Sequence, residues 1–245
     1  MAALNLAIAC KGFPALGVMP SRTIMADVAL AVGSGETVAV VGPSGVGKTT
    51  LLNMVAGLES LGEGRIETAP NLRLAYVFQE PRLLLWRTVG DNLRLVTGDA
   101  AAGRIDRALR EVGLDSVRDL YASRLSLGMA RRASLARALV VEPDLLLLDE
   151  PFASLDERTA RRLRLLLLDL LERRSLSTLF VTHHLDEAVM LADRVLVLNG
   201  APATIVHAVE TDLAPEARRD SAKVAARRQA IARTGAFDFP LPEDA

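Results

Sequence analysis

Cysteine is almost missing from this chain: Cys10 is the single one among 245 residues. That excludes an intrachain disulfide and any cysteine-based metal cluster, and it fits a reducing compartment. A surplus of either charge is missing too. Lys plus Arg number 29 and Asp plus Glu 30, so no global field gathers nucleic acid or anionic lipid and partner recognition must be local. Nor does any apolar run approach the roughly 20 residues that cross a bilayer. The leucine-dense stretch at 165–168 is bounded by Arg164 and Asp169. The first nine residues are apolar, carry no basic leader and soon meet Lys11, so a secretory signal is not expected. Work at a membrane would go through another subunit.

Half of the residues are apolar and about a quarter are charged, enough to bury one substantial core with a smaller lobe grafted onto it. Strands are expected at 4–9, 24–32, 37–41 and 72–78, and a helix at 49–58 closing near Gly57. Strand, glycine turn, helix, strand is the rhythm of an α/β sheet. From about 81 to 140 the rhythm changes to helical spacing, at 91–95, 105–112 and 129–140, which predicts a helical lobe inserted into the sheet domain. Strands resume at 145–148, 177–181 and 194–198, with a long helix at 157–173. These three are expected to share a mostly parallel sheet with 37–41. Residues 217–233 are basic and helix-permissive, and 237–245 acidic with prolines. They read either as a peripheral helix with a frayed end or as a docking surface.

Gly42-Pro43-Ser44-Gly45-Val46-Gly47-Lys48-Thr49 satisfies G-x-x-x-x-G-K-[ST] between an expected strand and an expected helix, the context that gives the pattern meaning. Glycines let successive backbone N–H groups turn inward around phosphate, and the helix, with Thr50 in its first turn, adds its positive end. Lys48 reaches the β- and γ-phosphates and the Thr49 hydroxyl ligates Mg²⁺. The segment 145–148 then runs into Asp149 and Glu150. A carboxylate ending a buried strand suits the Mg²⁺ shell, and the next one suits a water approaching the γ-phosphate.

In this order and at these separations the motifs resemble the nucleotide-binding domains of ABC transporters, over roughly residues 3–210. The resemblance implies an α/β P-loop NTPase core with a mostly parallel sheet, an antiparallel N-terminal β subdomain and an inserted helical subdomain. One ATPase domain would cover 1–212, its core at 1–80 and 141–212 and its helical part at about 81–140, with a C-terminal helical extension and tail at 213–245. Gln79 matches the glutamine switch that reaches Mg²⁺ or the attacking water. Leu125-Ser126-Leu127-Gly128-Met129 matches the signature, whose Ser126 and Gly128 would face the γ-phosphate held by the opposite subunit; Ser126 is also a sensible helix cap. Asp156 resembles the residue that crosses the dimer seam, and equally suits the cap of the helix at 157. His183 matches the switch histidine that donates to a γ-phosphate oxygen. Phe13 resembles the aromatic that stacks on adenine, or is a small core anchor.

Three positions depart from the pattern. Leu127 stands where glycine is expected, and a positive φ there would cost on the order of 1 kcal/mol; on that ground Leu127→Gly raises the ATPase rate. Arg131 stands where glutamine is common, and His184 where aspartate is.

One phosphate loop and one signature per chain imply two copies, or a pair with a homologous subunit, closing over two ATP molecules. The resemblance further implies integral membrane permease subunits, a solute-binding protein in the complete system, and a peripheral place on the cytoplasmic face of the membrane, with no direct nucleic-acid contact. The run from Glu80 to Arg87, which holds the only tryptophan, Trp86, reads either as core packing or as the surface that receives the permease. The segment around Phe78-Gln79-Glu80-Pro81 is similar to nitrate, sulfonate and taurine importers. Two other readings stay open: a soluble, non-transport ABC ATPase, and an ATP-binding regulatory subunit with weak turnover.

Overall fold

The structure is a computed structural model describing residues 2–14, 21–98 and 102–234. The expected tail at 237–245 lies outside them. The chain forms two compact units, Met1–Asn71 with Ser177–Ala245, and Leu72–Leu176.

The first unit holds β1 (Ala2–Phe13), β2 (Arg22–Gly33), β3 (Thr37–Val41), α1 (Lys48–Val55) and β4 (Glu63–Thr68). After the second unit it continues through β7 (Ser177–Thr182), α6 (Leu185–Leu191), β8 (Arg194–Gly200), β9 (Ala203–Glu210) and α7 (Ser221–Ala232). Its strands lie in the order β4-β1-β2-β9-β8-β3-β7. β1 pairs antiparallel with β2 and β4, which gives the antiparallel N-terminal part, while β3 is parallel to both β7 and β8. Every residue of β3 and β7 is buried, as expected of parallel strands covered on both faces. The basic segment near the end of the described chain docks in this unit. Val224 and Ile231 are buried, and Arg218 bonds Leu191 O at 3.1 Å and Asp193 at 2.6 Å.

The second unit contains β5 (Leu74–Val77), α2 (Val89–Thr97), α3 (Ala102–Glu111), α4 (Leu127–Leu139), β6 (Leu145–Asp149) and α5 (Glu157–Arg174). β5 and β6 pair in parallel from Leu74↔Leu145 to Val77↔Leu148. Arg73 and Asp144 fasten the entry to this pair, with Arg73 N–H and guanidinium both donating to the carboxylate. Each of α2, α4 and α5 starts on a side-chain cap: Thr88, Ser126 and Asp156 accept from the N–H groups of Asp91, Met129 and Thr159. Such caps satisfy donors that a helix start otherwise leaves unpaired.

Candidate nucleotide site

In the first unit the register Val41↔Thr182 brings the loop after β3 and the loop after β7 to one sheet edge. These loops carry residues 42–49 and His183. The edge is the carboxyl end of parallel strands, where open α/β sheets hold their ligands.

Gly42 runs so close to β8 that a Cβ there would lie 2.3 Å from Leu198 O. Gly47 has φ 111°, in the left-handed region, and caps α1 without a side-chain bond. Thus α1 begins with its N–H groups turned toward the loop and no acidic residue in its first turn, an arrangement that favours an anion. The Lys48 ammonium is buried and donates to Gly42 O at 2.7 Å and Pro43 O at 3.0 Å. Ser44, Gly45 and Thr49 are exposed, and Pro43, Val46 and Thr50 half-buried. His183 is half-buried, its ring tilted against His184 at 4.1 Å. Behind it the Thr182 hydroxyl donates to buried Glu187 at 2.5 Å and accepts from His184 N–H at 3.0 Å. Phe13 ends β1 with its ring 42% exposed, so it is not a core anchor. The Lys11 ammonium lies 4.9 Å from the ring centroid, held by Glu59 and Ser60.

In the second unit the β5–β6 register brings the two strand ends together. The Gln79 amide donates to the Glu150 carboxylate at 3.3 Å. Asp149 is buried, and the Tyr76 hydroxyl donates to it at 3.4 Å. Burial first, then the charge of Asp149, pushes the Tyr76 phenol upward, which keeps it a donor. Glu150 has φ 41°, a left-handed conformation that costs on the order of 1–3 kcal/mol for a residue with a side chain.

Ser126 and Asp156 cap α4 and α5 as the capping alternative foresaw. Leu127 is the first residue of α4 and 44% exposed. It is not among the residues with positive φ, so the strain expected of it is absent, because a helix start suits any L-residue there. What is closely fitted is Gly128: a Cβ would meet Thr159 Cγ2 of α5 at 2.7 Å.

Two arginines of α4 make contacts that the sequence did not foretell, Arg137, which it passed over, and Arg131, noted there only as a departure from the signature. Arg137 donates to Arg82 O at 2.7 Å and Pro81 O at 2.9 Å, anchoring the segment after Gln79. Arg131 donates to Ala153 O at 2.9 Å in the turn after Glu150. Periodicity offered no signal, since the two stand six residues apart, on different sides of a helix that turns about 100° per residue. Leu85 and Trp86 are 57% and 71% exposed, which rules out core packing for those two side chains. Tyr121, 50% exposed, forms an isolated antiparallel bridge with Thr88, and the neighbouring Ala122 N–H donates to Arg87 O at 2.9 Å.

Comparison with known proteins agrees with this arrangement. The sequence profile described as ABC transporter matches residues 25–153. The aliphatic sulfonates import ATP-binding protein SsuB 2 of Burkholderia cenocepacia (strain HI2424) is 46% identical over 220 residues, covering 86% of this chain and 81% of that protein. Its namesake in Streptomyces avermitilis is 51% identical over 180 residues, covering 72% and 71%. Among solved structures, a dimeric ATP-binding cassette in a post-hydrolysis state bound to ADP and Pi superposes with a TM-score of 0.73 at 24% identity, covering 86% of this chain and 100% of that one. That likeness establishes the α/β fold. With more than half of the chain inside the family profile, and relatives this similar over most of its length, the chain belongs to the ABC transporter family.

Proposed function

We propose that this chain hydrolyses ATP as the motor subunit of a membrane importer, acting as two copies and powering uptake of aliphatic sulfonates or related small anions. The observation that carries the reading is the Gln79 amide on the carboxylate of Glu150, at the end of a strand whose last residue is a buried aspartate. A switch amide touching a candidate base sets a group that can orient water beside one that can take its proton, the parts γ-phosphate transfer uses. The names of the sulfonate-import relatives support the cargo class.

In this reading residues 42–49 and Thr50 grip the triphosphate through backbone N–H groups and Lys48, and Phe13 stacks on the base. The hydroxyl of Thr49, the amide oxygen of Gln79 and the carboxylate of Asp149 are each oxygen donors of the kind a hard cation takes, and would hold Mg²⁺. Bound there, Mg²⁺ would offset the negative charge of the triphosphate. Glu150 accepts the proton of the attacking water and His183 donates to a γ-oxygen. Ser126 and Gly128 at the start of α4 approach the nucleotide of the second copy, with Asp156 at the seam. Closure on ATP and opening after hydrolysis give the stroke.

Among the described residues no helix is long and apolar enough to cross a membrane, so the stroke needs a receiver. The exposed group Leu85, Trp86 and Tyr121 is suited to accept an apolar segment of an integral membrane permease, with the aromatics as anchors. A solute-binding protein would complete the system, and the chain would lie on the cytoplasmic face. Isolation of the intact complex from cells tests this. A copurifying integral membrane permease is the expected result; a nucleic-acid partner in its place overturns the reading in favour of a soluble ATPase.

A further inference from the structure

Arg131 lies five residues into α4 with its side chain 5% exposed. Its Nη2 donates to Ala153 O at 2.9 Å. Among the described residues neither Nε nor Nη1 has a hydrogen-bond partner, and both are out of reach of solvent. Val77, Leu135, Leu148, Pro151 and Phe152 wall the small space beside it, about 10 Å³, which holds no more than about one water. Burying a cation among such groups with two donors unmet is costly. Packing alone would be served better by an apolar side chain of the same volume.

What the guanidinium does gain is attachment to one backbone atom. Ala153 lies three residues after Glu150 and three before Asp156, and its own N–H donates to Glu150 O at 3.1 Å. The turn is held in unusual backbone conformations at both Glu150, φ 41°, and Ser154, φ 63°. Such conformations persist only where the surroundings over-determine them. Burial lowers the guanidinium's proton affinity while the charges of Glu80 and Glu150 raise it.

We propose that Arg131 is a positioning residue: by gripping the Ala153 carbonyl it locks the turn that carries Glu150 and Asp156 to the signature helix, so that a movement of α4 is passed to the glutamate. The grip, and not the charge, is the operative feature. This rests on the ATPase reading above.

The test uses the full-length chain, comparing wild type with Arg131→Met, which keeps the volume and has no donor, and Arg131→Gln, which keeps an N–H₂ donor without charge. Three quantities are read: kcat for phosphate release, Kd for a fluorescent ATP analogue, and Tm. Arg131→Met should lose about tenfold or more in kcat, by analogy with misplacement costs of up to about 10²-fold. Its Kd should stay within about twofold and its Tm be held or raised, because two unmet donors are removed. Arg131→Gln should recover most of the kcat. A Met variant as fast as wild type overturns the inference, as does a Gln variant as slow as Met. A Met variant whose slower turnover comes with an equally lowered Tm makes the residue merely structural and also overturns it. If the wild-type chain itself releases no phosphate, it is the ATPase reading that fails.

Discussion

Replacing Gly128 by alanine adds one methyl group where Thr159 already stands. The new Cβ would lie 2.7 Å from Thr159 Cγ2, roughly an ångström inside the ordinary carbon–carbon separation of about 3.5–4.0 Å. Thr159 has little freedom to retreat. It is β-branched within the first turn of a helix, where χ1 is restricted, and its N–H donates to the capping Asp156 carboxylate at 3.0 Å. The two helices must therefore separate slightly, at an overpacking cost of about 1–3 kcal/mol. For a chain of this size that lowers Tm by about 2–12 °C, at roughly 2–4 °C per kcal/mol. Thr159→Ser removes the offending methyl, so adding it to Gly128→Ala should restore most of the loss, a coupling that a double-mutant cycle reads directly. Thermal unfolding of the four proteins is the assay. A Gly128→Ala protein that melts within about 1 °C of wild type, or one that Thr159→Ser fails to rescue, refutes the reasoning.

Gly42→Ala should abolish binding of a fluorescent ATP analogue, because its Cβ would be 2.3 Å from the backbone oxygen of Leu198 and backbone cannot swing aside; an unchanged Kd contradicts this. Leu127→Gly should leave Tm level or about 1–4 °C lower, since glycine costs a helix about 0.5–1 kcal/mol and no strain at Leu127 is relieved; a clear rise in Tm would show that strain is there. Hydrogen bonds from the Arg73 side chain and N–H hold the Asp144 carboxyl below its ordinary value. A depressed folded value means the stabilisation is present above the unfolded value of about 4 and is lost as pH falls through the folded one. Melts between about pH 6 and pH 2.5 should then fall less steeply for Asp144→Asn than for wild type, and parallel curves would remove Asp144 from the acid transition.

Much of the fold was legible because buried parallel strands advertise themselves. Residues 37–41 are wholly apolar apart from Thr37 and form β3 as expected, and the long helix expected at 157–173 forms as Glu157–Arg174. Three elements went unread. β4 is almost entirely exposed, so it carries no alternation of apolar residues and is held by its backbone pairing with β1. β9 shows a weak pattern, exposed in its second half. α6 spans seven residues, too few for a helical period to stand out. At the site, the motif glycines and Lys48 could be read because their spacing is dictated by phosphate. The Gln79–Glu150 contact could not, since it depends on a strand register that pairs residues 71 apart in sequence. Leu127 was misjudged because its conformation is set by the Ser126 cap, which places it inside a helix and not in a turn.

The central claim is that Glu150 drives hydrolysis of ATP gripped by this chain. Phosphate release by Glu150→Gln, set against wild type in the same intact complex, tests it most directly. Loss of a general base should slow release by about 10²–10⁴-fold while the ATP analogue still binds. Release at the wild-type rate would contradict the account.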